Sequence, residues 1–310
     1  MTTTPDRLMR IAVSGSTGLV GSALCDRLQT QGRDVRPIVR RAAGTDREIL
    51  WDTEHHTFDA EALNDCDAVV HLAGEGIMGR WTDEKKRRVR DSRTLSTRGL
   101  AQTLARLDDG PRTLVVASAI GYYGDTGQTP ARTEDDPPGD TETDFLASVC
   151  VEWEAAADPA RQAGLRVVHV RIGIVLNPEG GALAAMLLPF KLGLGGRVGS
   201  GDQWMSWIAL TDLVNILVYA IDTPTLQGPI NAVAPEPVTN AHFTKALGRA
   251  LNRPTLLPVP GFAPKLLYGN DCAEALVLGS IKVVPKRLLD AGFNFEFEDL
   301  GRALDHELKR

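Results

Sequence analysis

The apolar positions of this chain fall into short, nearly continuous blocks, and longer stretches of helical period separate them. Residues 10–14, 34–39, 68–72, 113–117 and 166–172 each read as a strand. Between the first two, Leu19, Val20, Ala23, Leu24 and Leu28 recur on one side of a helix over about 19–31, and Gly32 stands where a C-terminal cap belongs. Further helices are expected over 83–105 and 144–162. Runs of β-branched residues without polar alternation are strands covered on both faces, and their alternation with helices predicts an α/β fold. The expected architecture is a Rossmann-type, doubly wound parallel sheet.

After Ile172 the rhythm changes. A glycine-rich stretch at 193–201 precedes Trp204 and Trp207, then a helix over 211–222 and one more strand at 229–232. Pro254, Pro258, Pro260 and Pro264 then break regular structure. Beyond them a smaller, mostly helical C-terminal lobe is expected in short pieces, with Gly292 ending one of them. The expected division is a dinucleotide-binding unit over 8–235 and a small C-terminal domain over 250–310, with parts of 176–210 contributing to the substrate side. The acidic, proline-containing segment 134–144 reads as a mobile loop beside the site.

A chain of 310 residues, 43% of them hydrophobic, has material for one large domain and an appended lobe. Its net charge of -6 argues against a nucleic-acid partner, which would require basic faces to displace counterions. The basic run from Lys85 to Arg90 reads as a solvated helix face. Four scattered cysteines without a CxxC pair suit a reducing cytoplasm, and the six histidines do not cluster with acids or cysteines, so no metal is expected. There is no signal-peptide pattern at the start and no run of 18 apolar residues, so no membrane partner is expected either.

The first candidate chemistry follows the first strand at once. Gly15-Ser16-Thr17-Gly18-Leu19-Val20-Gly21 is a GxxGxxG turn that opens a helix, the context in which glycines let a backbone approach a pyrophosphate at a helix N-terminus. A site for NAD places an acid about 20 residues on, to grip the ribose 2′-hydroxyl. Here that place holds Arg40, followed by Arg41, whose guanidinium groups suit a 2′-phosphate. The expected cofactor is therefore NADP(H). Leu72, Ala73 and Gly74, after the third strand, would let the chain pass beneath the adenine and ribose. His71 reads as a packed strand residue.

Together with the glycine turn, the segments His71-Leu72-Ala73-Gly74, Ser118…Tyr123-Gly124 and Trp207-Ile208-Ala209-Leu210-Thr211-Asp212 resemble the extended short-chain dehydrogenase/reductases. Gly74-Glu75, Trp81…Lys85-Lys86, Ser92-Arg93, Gly121-Tyr122-Tyr123-Gly124-Asp125 and Trp153-Glu154 resemble an atypical branch, the epimerase-family proteins sometimes labelled cell-division inhibitors. The stretch from Pro285 to Phe293 resembles that branch's C-terminal domain of unknown function.

The resemblance implies a small-molecule substrate of unknown identity and a homodimer as the candidate assembly. It also exposes a departure. The superfamily's Tyr-x-x-x-Lys pair is missing, and alignment on Glu154 puts Leu146 and Cys150 in its two places, Cys150 reading as a small buried helix residue. The usual catalytic hydroxyl falls on Ala119, one place after Ser118. Candidate catalytic groups are then Ser118, which could also face the nicotinamide, Tyr122 and Tyr123. Arg93 aligns where the superfamily often keeps an asparagine. With Glu75, Lys85, Lys86 and the indoles of Trp204 and Trp207 it would line a polar substrate pocket, and Arg93 and Thr97 share a helix face. Two functions stay open at this point. One is an NADP(H)-dependent oxidoreductase or epimerase-like enzyme; the other is a cofactor-binding regulator or redox sensor that has lost the chemistry.

Overall fold

The computed structural model describes residues 8–40 and 44–309. Its strands are β1 (Arg10–Ser14), β2 (Asp34–Val39), β3 (Ile49–Asp52), β4 (Thr57–Phe58), β5 (Ala68–His71), β6 (Thr113–Ala119), β7 (Arg166–Ile172), β8 (Ile174–Leu176), β9 (Trp204–Met205), β10 (Trp207–Ala209), β11 (Gly228–Ala232) and β12 (Val238–Thr239). Among the described residues, eight of these form one sheet in the order β11-β7-β6-β5-β1-β2-β3-β4. Every pairing in it is parallel except β3 with β4. From β1 the chain goes first to β2 on one side and later to β5 on the other, so the strand order reverses between β1 and β5. In open α/β sheets a ligand binds beyond the carboxyl ends of the strands at such a reversal.

The helices used below are α1 (Leu19–Thr30), α2 (Ala60–Asn64), α3 (Asp83–Leu104), α4 (Phe145–Ala155), α5 (Asp158–Gln162), α6 (Gly181–Lys191), α7 (Leu210–Asp222) and α8 (Asn240–Ala250). Side-chain alternation along β1 shows why both faces of the sheet are apolar. Ile11 and Val13 join Leu24, Leu28, Leu213 and Leu217 on the α1/α7 side, and Ala12 joins Leu100, Leu104 and Trp153 on the α3/α4 side. Gly32 ends α1 at φ +74°, and the amides of Gly32 and Arg33 return to the carbonyls of Gln29 and Leu28.

A third core joins α6 and α8 to the last helix, Leu300–Glu307, around Trp207, Phe243 and Leu247. Buried Asp212 fastens this C-terminal portion, because its carboxylate accepts the amides of Glu296 (2.8 Å) and Phe297 (2.9 Å). The segment before it runs along the sheet's far end. The Ser206 hydroxyl donates to the carbonyl of Ile281 and accepts the amide of Val283, and the Thr126 amide donates to the carbonyl of Ser280.

Three expectations are corrected. The helix expected over 144–162 is two helices, α4 and α5. Pro159 lacks an amide and its ring crowds the preceding turn, so the helix stops and restarts. The strand expected over 113–117 runs on to Ala119. The segment 134–144 is not a mobile loop, because buried Glu134 accepts the amides of Asn231 (2.9 Å) and Arg287 (3.2 Å), and the Gly139 amide donates to the Tyr122 carbonyl (2.9 Å). The sequence reading also missed β3, β4, α6 and α8.

Candidate functional site

The glycine turn lies at the sheet's reversal point. Gly15 has φ +68°, and a Cβ there would stand 3.0 Å from the backbone of Leu72 and Ala73, so the turn sits against the end of β5. A Cβ on Gly21 would overlap the Gly15 carbonyl, so only glycine lets α1 start this close to the turn. Gly18 is the residue before α1, and no side chain caps that helix. Its first amides, with Ser16 and Thr17 in the turn and Leu19 and Val20 in the opening helical turn, form a cradle that fits a pyrophosphate. Arg40 is exposed directly after β2, and Arg41 lies outside the described residues.

The floor of the cradle is a buried polar chain. Ser14 Oγ accepts the amides of Leu72 (3.1 Å) and Ala73 (3.2 Å), which leaves its proton for His71 Nδ1 (2.7 Å). His71 Nε2 then carries the ring's own hydrogen and donates to Ser96 Oγ (3.1 Å), whose proton goes to the Ser92 carbonyl (2.7 Å). The ring is neutral in this arrangement, and burial pushes its pKa down to about 4. A depressed histidine pKa gives stability that is complete above the unfolded value of about 6.5 and is lost as pH falls from there towards 4, in all about 3 kcal/mol. His71→Gln is therefore expected to lose less stability than wild type between neutral pH and about pH 4.5 in urea titrations. An unchanged difference would remove His71 as the source.

The other half of the site gathers at the carboxyl ends of β5 and β6. Arg93 on α3 reaches back to the end of β5. Its Nη1 donates to the carbonyls of Glu75 and Val89 (both 3.0 Å), its guanidinium lies over the Trp153 ring, and it sits beside Gly74. Among the described residues Arg93 has no carboxylate partner, because the Glu75 carboxylate is held by Lys85 (2.7 Å). The Lys85 hydrogen bond keeps Glu75 below the usual carboxylate range, and burial lowers the pKa of Arg93. Lys86 pairs with Asp271 of the C-terminal portion (2.6 Å). Glu75 and Arg93 thus come together, whereas Lys86 is engaged by Asp271 and lies over the Phe145 ring. Trp207 does not join them, being wholly buried in the third core with its Nε1 donating to the Glu236 carbonyl. Trp204 lies under the Lys282 ammonium.

Beyond β6 a network joins Ser118, Tyr123 and Glu154, all named from the sequence, to Arg171 and Asn231, which sequence reasoning missed. Arg171 on β7 makes a bidentate pair with Glu154 on α4 (2.8 and 2.9 Å), and the Ser118 hydroxyl donates to the same carboxylate (2.8 Å). Arg171 also donates to the Tyr123 hydroxyl (2.9 Å), which donates to Asn231 Oδ1 (2.7 Å) on β11. Burial opposes the Arg171 charge, but Glu154 outweighs it and holds its pKa above the ordinary arginine value. Burial pushes the Tyr123 phenol up to about 12. One signal was available in the sequence, since Arg171 is a charge inside the apolar run 166–172.

The three candidate hydroxyls are therefore not equivalent. Tyr123 is committed on both sides and Ser118 is turned towards Glu154. The Tyr122 ring stacks on the Arg171 guanidinium (3.4 Å), and its hydroxyl makes no hydrogen bond among the described residues. The helix positions aligned with the missing Tyr–Lys pair hold Leu146 and Cys150. Both pack against Gly121, and burial pushes the Cys150 thiol up to about 12.

Comparison with known proteins agrees with this geometry. The NAD dependent epimerase/dehydratase family matches residues 11–232, and a domain of unknown function, DUF1731, matches residues 259–307. An epimerase family protein of Mycobacterium bovis is 46% identical over 301 residues, covering 97% of this chain and 98% of the relative. The crystal structure of human epimerase family protein SDR39U1 (isoform 2) with NADPH superposes at a TM-score of 0.88. It is 36% identical and covers 97% of this chain and all of that one. UDP-glucose 4-epimerase of Thermotoga maritima, at 17% identity and a TM-score of 0.76 over 97% of this chain and 98% of that one, shares the fold. With one family model matching most of its length and a relative nearly half identical from end to end, the chain belongs to the NAD dependent epimerase/dehydratase family.

Proposed function

We propose that the chain is an NADP(H)-dependent oxidoreductase or epimerase-like enzyme that acts on a small polar substrate. The glycine cradle at the sheet's reversal point supports the cofactor, as does the NADPH in the similar human structure. Arg40 at the end of β2 supports the phosphorylated form. NADP(H), when bound, supplies or takes up the hydride. The observation that carries the reading is the Tyr122 hydroxyl, unbonded at the carboxyl end of β6 above the Arg171 cation. The guanidinium against its face orients the ring, so Tyr122 is the group proposed to exchange the proton. Arg93, with Nε and Nη2 free among the described residues, orients the polar substrate.

Steady-state oxidation of NADPH against a panel of carbonyl compounds and nucleotide sugars tests the reading, and no turnover with any of them overturns it. For the cofactor, calorimetric titration should show Arg40→Ala losing about 10- to 100-fold in NADPH affinity, the worth of one charged hydrogen bond, with NADH unaffected. Equal losses for both cofactors would take the 2′-phosphate away from Arg40.

A second reading, a cofactor-binding regulator, is favoured by Leu146 and Cys150 standing where the Tyr–Lys pair is expected. It requires a partner whose affinity differs between the apo, NADP⁺ and NADPH forms. Equal affinities would dismiss it.

A further inference from the structure

Helix α8 turns Phe243, Ala246 and Leu247 inward and leaves His242, Lys245 and Arg249 exposed in a single stripe. The chain then turns at Asn252, in the left-handed region at φ 53°, and brings Arg253 alongside. Lys245, Arg249 and Arg253 line one open basin of about 560 Å³, and no acidic residue lines it. The Nε of Arg253 donates to the carbonyl of Lys191 (2.8 Å), which sets the end of α6 on the rim. Among the described residues none of Lys191, Lys245, Arg249 and Arg253 has a carboxylate partner. In a chain of net charge -6, that is a local concentration of uncompensated positive charge.

The same rim is apolar. Leu192 and Leu194 follow α6, and Leu256 and Leu257 follow the basin; they are 65%, 59%, 88% and 60% exposed. Gly196 lies against the backbone of Leu257, which brings the segment that follows α6 alongside the one that follows the basin. Four large aliphatic side chains left in water beside four unpaired cations need a counterpart that is both apolar and anionic. A second copy of the chain meets the first need and fails the second, since a two-fold axis through this face would set the cations of the two copies against each other. A free phosphate would satisfy the cations and leave the leucines in water.

We propose that this face docks on the surface of an anionic lipid bilayer, with the leucines entering the headgroup boundary and the four cations on the lipid phosphates. Attachment is at the surface, since no helix among the described residues is long and apolar enough to cross a membrane. The expectation of no membrane partner rested on apolar runs along the sequence, and this face is assembled from two separate segments.

Cosedimentation of the full chain with phosphatidylcholine vesicles, with and without about 30% phosphatidylglycerol, tests the proposal. Partitioning should be at least about tenfold greater onto the anionic vesicles and should fall with added salt. It should drop about tenfold or more in the triple variant Lys245→Glu, Arg249→Glu, Arg253→Glu, and severalfold in Leu256→Ser, Leu257→Ser, with both variants keeping the wild-type circular dichroism spectrum. Equal partitioning onto the two vesicle types overturns the proposal, and so does undiminished binding by the folded charge variant. A dimer in light scattering that the leucine variant dissolves, without vesicle binding by wild type, assigns the face to a second copy and overturns it too.

Discussion

Replacement of Glu154 by alanine is expected to destabilise the protein by about 3–5 kcal/mol, measured as a fall in the urea midpoint at unchanged slope. The Arg171 side chain is 3% exposed and that of Glu154 13%, so solvent cannot replace the lost carboxylate. The variant would leave a guanidinium buried with only the Tyr123 hydroxyl as acceptor and the Ser118 hydroxyl without its partner. The loss measures the cost of an orphaned charge, not the worth of the pair. Changing both residues to apolar ones of similar size, Glu154→Leu with Arg171→Met, should therefore recover much of the stability. A double variant as unstable as Glu154→Ala would show that the hydrogen bonds around the pair matter more than its charge.

Tyr122→Phe is expected to lower kcat by about 10²- to 10⁴-fold, the usual contribution of a positioned proton donor, while calorimetric NADPH affinity stays at the wild-type value. The free hydroxyl makes this substitution informative. Since it bonds to nothing among the described residues, its removal should not disturb the fold, and the ring remains on Arg171. Tyr123→Phe is the contrast, because it breaks bonds to Asn231 and Arg171 and should act mainly on stability. If Tyr122→Phe turns over at the wild-type rate, the proton belongs to another group.

The strands that place the cofactor cradle were legible because each is a β-branched block buried on both faces, and periodicity reports such burial directly. Gly15 and Gly21 were legible for a local reason, since Gly15 sits at positive φ against the end of β5 and a Cβ on Gly21 would overlap the Gly15 carbonyl. Helix α6 and strands β3 and β4 escaped. β3 and β4 are a four-residue and a two-residue piece at the sheet's edge, and α6 carries Pro189 inside it, so none offers a clean period.

The site shows the same limit. Glu75 and Arg93 are near in sequence and were grouped from the sequence. Arg171, Asn231 and Glu134 come from three distant segments and are joined only by the fold. Trp207 was misplaced because an indole reads the same in a pocket wall and in a core until its neighbours are known. The choice among Ser118, Tyr122 and Tyr123 rested on hydrogen bonds to residues that no spacing rule connects.

The hydrogen bonds that carry the segment around Ile281 along Ser206 and Thr126 bear on the order in which the protein is made. Thr126 and Ser280 are 154 positions apart, and Glu134 meets Arg287 across 153. The residues of the glycine cradle lie within the first third of the chain, whereas the surroundings of Tyr122 and Tyr123 draw on nearly all of it. A polypeptide still emerging from the ribosome thus carries the residues of the dinucleotide cradle early, but must wait for its final stretch before the surroundings of Tyr122 and Tyr123 take shape.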